Sequence, residues 1–121
     1  NLGMGTMVHN NIYERIRKME EKDISSVLSL MKPFVDKEIL LSRSRQDLEA
    51  GLEDFVVYAT DGIIHGCGAL HWHSRDLAEI AALAVDQRYV HFQIGRKIVS
   101  YLLKEAREKK LKTVFVLTTQ T

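Results

Sequence analysis

The chain has 121 residues, enough for one domain and too few for two. Seventeen Lys and Arg against sixteen Asp and Glu give a net charge of +1, without the basic excess of a dedicated nucleic-acid binder, and 45% hydrophobic with 27% charged residues exclude a disordered chain. No apolar run approaches the roughly 18 residues that cross a bilayer, residues 1–11 lack the basic patch and apolar stretch of a secretory signal, and the single cysteine, Cys67, excludes an intramolecular disulfide and fits a reducing cytoplasm.

In chain order, residues 1–11 are small and polar and read as a linker or cut end, so the domain is expected over residues 12–121. Alternation from Tyr13 to Lys18 predicts a short strand. Ile24, Val27, Leu28 and Met31 recur at helical spacing and predict a helix that Pro33 ends or kinks. Ser44-Arg45-Gln46-Asp47 resembles a capping box and opens a second helix from about Arg45 to Glu53, with Leu48 and Leu52 inward. Phe55–Thr60 and Ile63–His73 are strands joined by Asp61-Gly62, a hairpin turn. Leu77–Val85 is a third strand, rich in alanine, whose small side chains admit a close approach to its backbone. Gly95–Lys110 is a helix with the apolar stripe Ile94, Ile98, Tyr101, Leu102 and Ala106, and Val114–Leu117 is a last strand. The order predicts an α+β fold with a mixed, mostly antiparallel sheet and helices on both faces. Its last strand–helix–strand unit is expected to be right-handed.

Chemistry concentrates in Leu83–Arg96, a strand, a turn and a helix start. A helix N-terminus presents free N–H groups and the positive end of the helix dipole, a fit for phosphate. Read alone, the segment is equally an ordinary connection. His71 and His73 lie two apart on a strand and share a face, which suits surface or cleft histidines; two ligands do not make a metal site, and none is expected. Cys67 sits in an apolar β run and reads as a small core residue. No Ser/His/Asp triad or Walker loop is present, and Lys104–Lys112 reads as a solvated face.

The same stretch, with Val85-x-x-x-Tyr89, a short loop, Ile94-Gly95 and an amphipathic helix, resembles the acetyl-CoA motif of the GNAT acetyltransferases. Val90 stands where that motif has Arg or Gln, and Gln93 where it has its middle glycine, a position that favours positive φ or close approach. Four further segments, Ile39–Glu49, Asp61–Leu70, Glu79–Val85 and Val114–Thr119, resemble in order and spacing those of bacterial N-acetylglutamate synthases. Gly3-Met4-Gly5-Thr6-Met7 resembles the linker that leaves their amino-acid-kinase-like domain.

The resemblance implies a GNAT fold whose closing helix and two strands lie beyond Thr121, with acetyl-CoA as co-substrate and glutamate or a related amino acid as acceptor in arginine biosynthesis. It implies Glu79 as the base that takes a proton from the substrate ammonium, although a strand carboxylate also serves as a salt-bridge partner. Thr118 would protonate the leaving thiolate, although threonine is common at strand ends. The backbone amides of Ala82, Leu83 and Val85 would hold the thioester oxygen and pantetheine. Leu83, Ala84, Val85, Gln93, Ile94, Gly95, Arg96 and Lys97 would bind the cofactor, and Leu40, Arg43, Ala82 and Leu117 the substrate. Arg43 and Arg45 are candidate carboxylate clamps or a solvated cationic rim. Gln120 replaces the Arg of the usual Thr-Thr-Arg, removing one cation near the substrate. A preceding amino-acid-kinase-like domain and a homo-oligomer formed through an open sheet edge are further expectations. Two other classes stay open: a non-catalytic acyl-CoA-binding or regulatory domain, suggested by the altered Val90–Gly95 loop, and a module that only supports neighbouring domains.

Overall fold

The computed structural model describes residues 15–109 and 114–117. Strand β1 (Ile16–Lys18) leads through a 3-10 turn, Glu21–Asp23, into helix α1 (Ile24–Asp36); helix α2 (Arg45–Ala50) and a second 3-10 turn, Leu52–Asp54, follow. Strands β2 (Phe55–Thr60), β3 (Ile63–Trp72) and β4 (Leu77–Val85) run consecutively, then a 3-10 segment, Gln87–Phe92, helix α3 (Ile94–Lys109) and strand β5 (Val114–Leu117). The sheet order is β1-β2-β3-β4-β5. The first four strands pair antiparallel, and β5 pairs parallel to β4 through Leu77↔Val114 to Ile80↔Leu117. The expected α+β sheet is therefore present. Residues 1–14, which hold the expected linker and the start of the first strand, lie outside the described residues, as do residues 110–113 and 118–121.

Several local readings translate directly into geometry. Asp61 and Gly62 both take positive φ, 52° and 81°, the pair of left-handed residues that a two-residue hairpin turn needs to follow the strand twist. Ser44 Oγ accepts from the Asp47 N–H at 3.0 Å while Asp47 Oδ2 accepts from the Ser44 N–H at 2.9 Å, a reciprocal cap on α2. α2 itself is shorter than expected: it ends at Ala50, and Leu52 stays half-buried in the 3-10 turn. The connection before α3, expected as a loop, is largely 3-10.

Pro33 neither ends nor breaks α1, which continues to Asp36. The extra turn is held by Phe34 and Val35, which pack on the core, and by a Lys32–Asp36 ion pair at 3.1 Å. It closes when Glu38 turns left-handed at φ 62° and donates its N–H to the Val35 carbonyl at 2.9 Å. Packing outweighs the one hydrogen bond that proline removes.

The sheet separates two cores. On one face Ile24, Val27 and Met31 of α1 and Leu48 of α2 meet Phe55, Val57, Cys67, Ala69, Ala82 and Ala84. On the other, Ile94, Ile98, Leu102 and Ala106 of α3 meet Val56, Tyr58, Leu70, Ala78 and Ile80. The α3 stripe matches the expected one, except that Tyr101 is only half-buried. The helix α3 approaches closely over glycines of β3: a Cβ on Gly66 would lie 2.8 Å from Ile94 Cγ2, and one on Gly68 2.8 Å from Ile98 Cγ2. β4 carries a bulge where Cys67↔Ala84 gives way to Ala69↔Ala81, and Ala82 there takes φ 55°. Ala78 and Ile80 face α3 before the bulge, Leu83 and Val85 after it.

Candidate active site

Glu79 lies between Ala78 and Ile80 on β4, so its side chain leaves on the α1 face. That side chain is 12% exposed, and its Oε1 lies 2.7 Å from His73 Nε2. His71 is the register partner of Glu79 on β3, and its ring meets that of His73 edge-on at 4.5 Å between centroids. The two histidines thus share a face as the spacing required, but one of them engages the carboxylate. That contact could not be found from spacing alone, because it depends on the β3–β4 register. Among the described residues no group of three or more His, Cys, Asp or Glu is placed to hold a metal ion.

Arg43 approaches the same face from the segment between α1 and α2. Its guanidinium lies 5.8 Å from the centre of the Phe55 ring, and its Nη1 is buried with no hydrogen-bond partner among the described residues. A buried charged donor without an acceptor is costly. It is the natural seat for a carboxylate, to which a guanidinium offers two parallel N–H groups. Leu40 is buried in the same cluster as Phe55, Cys67 and Ala82. Arg45 has another role: its guanidinium hydrogen-bonds Ser25 Oγ and ties α2 to α1.

Cys67 is buried, donates its thiol to the Ala82 carbonyl at 3.4 Å, and has its thiol pushed up to about 12 by burial. It is protonated at neutral pH and braces the β4 bulge from beneath, which agrees with a core cysteine and not a nucleophile.

Toward α3, Val85 and Ile94 join the core beneath that helix, and the position of a Cβ on Gly95 would be 3.6 Å from Val85 Cγ2. The strand end and the helix start are therefore in contact. Gln93 takes φ 57° and ψ 33°, the left-handed conformation expected of the glycine it replaces. The Lys97 N–H donates to the Gln93 carbonyl at 3.1 Å as the first bond of the helix, so the N–H groups of Ile94, Gly95 and Arg96 have no intrahelical acceptor. Arg96 Nη1 donates to Gln93 Oε1 at 3.4 Å, and Lys97 Nζ stands 5.8 Å from the Tyr58 ring centre. From Glu79 to Val85 the strand spans roughly 20 Å at about 3.3 Å per residue. Leu83 and Ala84 occupy that span and point to opposite faces. Leu117 pairs with Ile80 through its backbone. Thr118 lies outside the described residues.

A five-stranded sheet with a bulged fourth strand running into a helix N-terminus, flanked by helices on both faces, defines an acyltransferase-like architecture. The family profile described as Acetyltransferase (GNAT) family matches residues 13–121, and the chain belongs to that family. It is 38% identical over 120 residues to the amino-acid acetyltransferase of Pseudomonas fluorescens strain Pf-5, covering 98% of this chain and 28% of that protein. The fold superposes with a TM-score of 0.74 on N-acetylglutamate synthase from Neisseria gonorrhoeae complexed with coenzyme A and N-acetyl-glutamate, at 33% identity over 78% of this chain and 22% of that one. Rv2747 from Mycobacterium tuberculosis, in complex with CoA, gives the same TM-score at 32% identity, covering 78% of this chain and 58% of that one. The chain thus spans under a third of the length of the curated relative it matches.

Proposed function

We propose that this domain transfers an acetyl group from acetyl-CoA to the α-amine of an amino acid, with glutamate as the acceptor. The observation that carries the reading is β4 itself. It holds Glu79 on the face that Arg43 approaches with a buried Nη1 that has no hydrogen-bond partner among the described residues, and it ends at Val85 against an α3 N-terminus whose first three amides have no intrahelical acceptor. The relatives of known structure that bind coenzyme A support it. In this reading Arg43 clamps a substrate carboxylate beside Leu40, with Ala82 and Leu117 flanking the acceptor. Leu83, Ala84 and Val85 run beside the pantetheine, and the residues from Gln93 to Lys97 take the pyrophosphate on their amides and cations. The left-handed Gln93 keeps the loop in the shape a glycine would give, which favours retained cofactor binding over loss of it.

Glu79 removes one proton from the substrate ammonium, and the freed nitrogen lone pair attacks the thioester carbonyl carbon. Backbone amides around the Ala82 bulge stabilise the resulting oxyanion. As the C–S bond breaks, the Thr118 hydroxyl gives its proton to the departing thiolate and is reprotonated from the nitrogen. One proton is released to solvent per turnover. The reading places the protein in the cytoplasm and in amino-acid biosynthesis, with an amino-acid-kinase-like domain as neighbour and a homo-oligomer as the assembled form.

The test is Glu79→Gln. Because a base acts on the acceptor and not on the nucleotide, kcat is expected to fall about a hundredfold or more while acetyl-CoA affinity by calorimetry stays unchanged. Thiol release at the wild-type rate would remove Glu79 from the mechanism; acetyl-CoA binding with no thiol release from any amino acid by the wild type would favour a binding or regulatory domain.

A further inference from the structure

His73 ends up against Glu79 because of three independent constraints. Its N–H donates to the Leu77 carbonyl at 2.9 Å, and the Ser74 N–H reaches the same oxygen at 3.3 Å, closing the β3–β4 connection. His71 lies on its flank, edge-on at 4.5 Å. The ring then projects its Nε2 to 2.7 Å from Glu79 Oε1. The Glu79 side chain is 12% exposed and that of His73 43%, so the pair runs from the protein interior to solvent. Among the described residues, Arg75 in the connection and Lys109 at the end of α3 line the same surface recess as the ring, and His71 stands on its flank.

We propose that His73 is a positioning residue for Glu79. The neutral ring donates its Nε2–H to Oε1 and fixes the carboxylate plane, which leaves Oε2 to accept the substrate proton. The inference rests on Glu79 being the base. A carboxylate on a flexible side chain that must meet an ammonium in one geometry gains from a fixed donor on its far oxygen. Among the described residues neither His71, whose ring meets that of His73 edge-on, nor the Arg75 and Lys109 cations supplies a hydrogen bond to Oε1.

The experiment compares His73→Phe, His73→Gln, Glu79→Gln and the His73→Phe/Glu79→Gln pair in the full chain, following kcat and both KM values. Glutamine keeps an N–H donor at the ε position and cannot titrate. His73→Phe is expected to lower kcat about tenfold to a hundredfold with the KM for acetyl-CoA unchanged, and His73→Gln to recover most of that loss. His73→Phe is expected to cost nothing further once Glu79 is glutamine. If Glu79→Gln abolishes turnover but His73→Phe leaves kcat untouched, or His73→Gln loses as much as His73→Phe, His73 does not position the base and this inference alone fails. A further loss from His73→Phe in the Glu79→Gln background also overturns it, because His73 would then act apart from Glu79. Wild-type turnover in Glu79→Gln overturns the reading beneath it.

Discussion

Asp23 is 5% exposed at the entrance to α1 and remains charged because three donors converge on it. Arg17 Nη1 and Nη2 donate to Oδ2 and Oδ1 at 2.7 and 3.1 Å, and the Glu20 N–H donates to Oδ2 at 2.8 Å. The Arg17 hydrogen bonds lead in holding the carboxyl below the usual aspartate range, against desolvation, and the same bonds raise Arg17. Since the folded pKa is the lower one, the pair's contribution to stability is complete above the unfolded value near 4 and is lost as pH falls through the folded value. Asp23→Ala is expected to destabilise the fold by about 2 kcal/mol at neutral pH. It should also flatten the fall in urea midpoint below about pH 4; an unchanged acid slope would show that the stabilising charge lies elsewhere. Arg43 is the contrast. Arg17 spends two guanidinium nitrogens on a protein carboxylate, whereas Arg43 keeps Nη1 buried and unpartnered among the described residues, which in the proposed function leaves it for the substrate carboxylate.

At the scale of elements, the position of α3 is set by what β3 omits. Ile98 is fully buried, and its branched Cγ2 occupies the space that a Cβ on Gly68 would need, at 2.8 Å, with Leu102 Cδ1 at 3.2 Å. A β-branched side chain has little rotamer freedom to yield. Gly68→Ala is expected to cost about 1–3 kcal/mol by overpacking. Combined with Ile98→Ala, which by itself leaves a cavity, it should cost less than the sum of the two, since the added methyl then has a place to go. Strict additivity in urea unfolding would mean that the helix does not bear on the glycine. Elements fixed by neighbours in sequence were legible before the structure: the Ser44–Asp47 cap and the Asp61-Gly62 turn are each complete within four residues. Those fixed by neighbours in space were not. Pro33 argues locally for a helix end and is overruled by Phe34 and Val35. The left-handed Ala82 carries no glycine to announce it, because the bulge follows from a register mismatch with β3. For the candidate site, Glu79 and Arg43 could be singled out by resemblance, but the Glu79–His73 contact and the ring of Phe55 under Arg43 needed the strand pairing.

For the molecule as a whole, the sheet is a partition: α1 and α2 cover one face, α3 the other, and Lys18 of β1 reaches Glu105 of α3 in an ion pair across the second. β4 contributes to both cores, and its bulge at Ala82 is where its outward sequence changes sides. In the proposed function the two substrates therefore approach through different elements, the amino acid by way of Arg43 on the α1 face and the nucleotide by way of the α3 N-terminus. Their contributions to stability should be separable. Using CoA in place of acetyl-CoA prevents turnover. A ligand held only by the folded state at a hundred times its Kd adds about 2.7 kcal/mol, which for a domain of this size raises Tm by roughly 10 °C. CoA alone is expected to give a rise of that order, and glutamate a further one in its presence. Arg43→Ala should abolish the glutamate increment, since a carboxylate loses its forked donor, while leaving the CoA increment intact, because Arg43 lies on the α1 side of the sheet and the N-terminal amides of Ile94, Gly95 and Arg96 are unchanged. Scanning calorimetry of the two proteins with CoA, with glutamate and with both decides it. A glutamate increment that survives in Arg43→Ala would place the acceptor carboxylate elsewhere, and loss of the CoA increment in that variant would show that the two faces of the sheet do not bind independently.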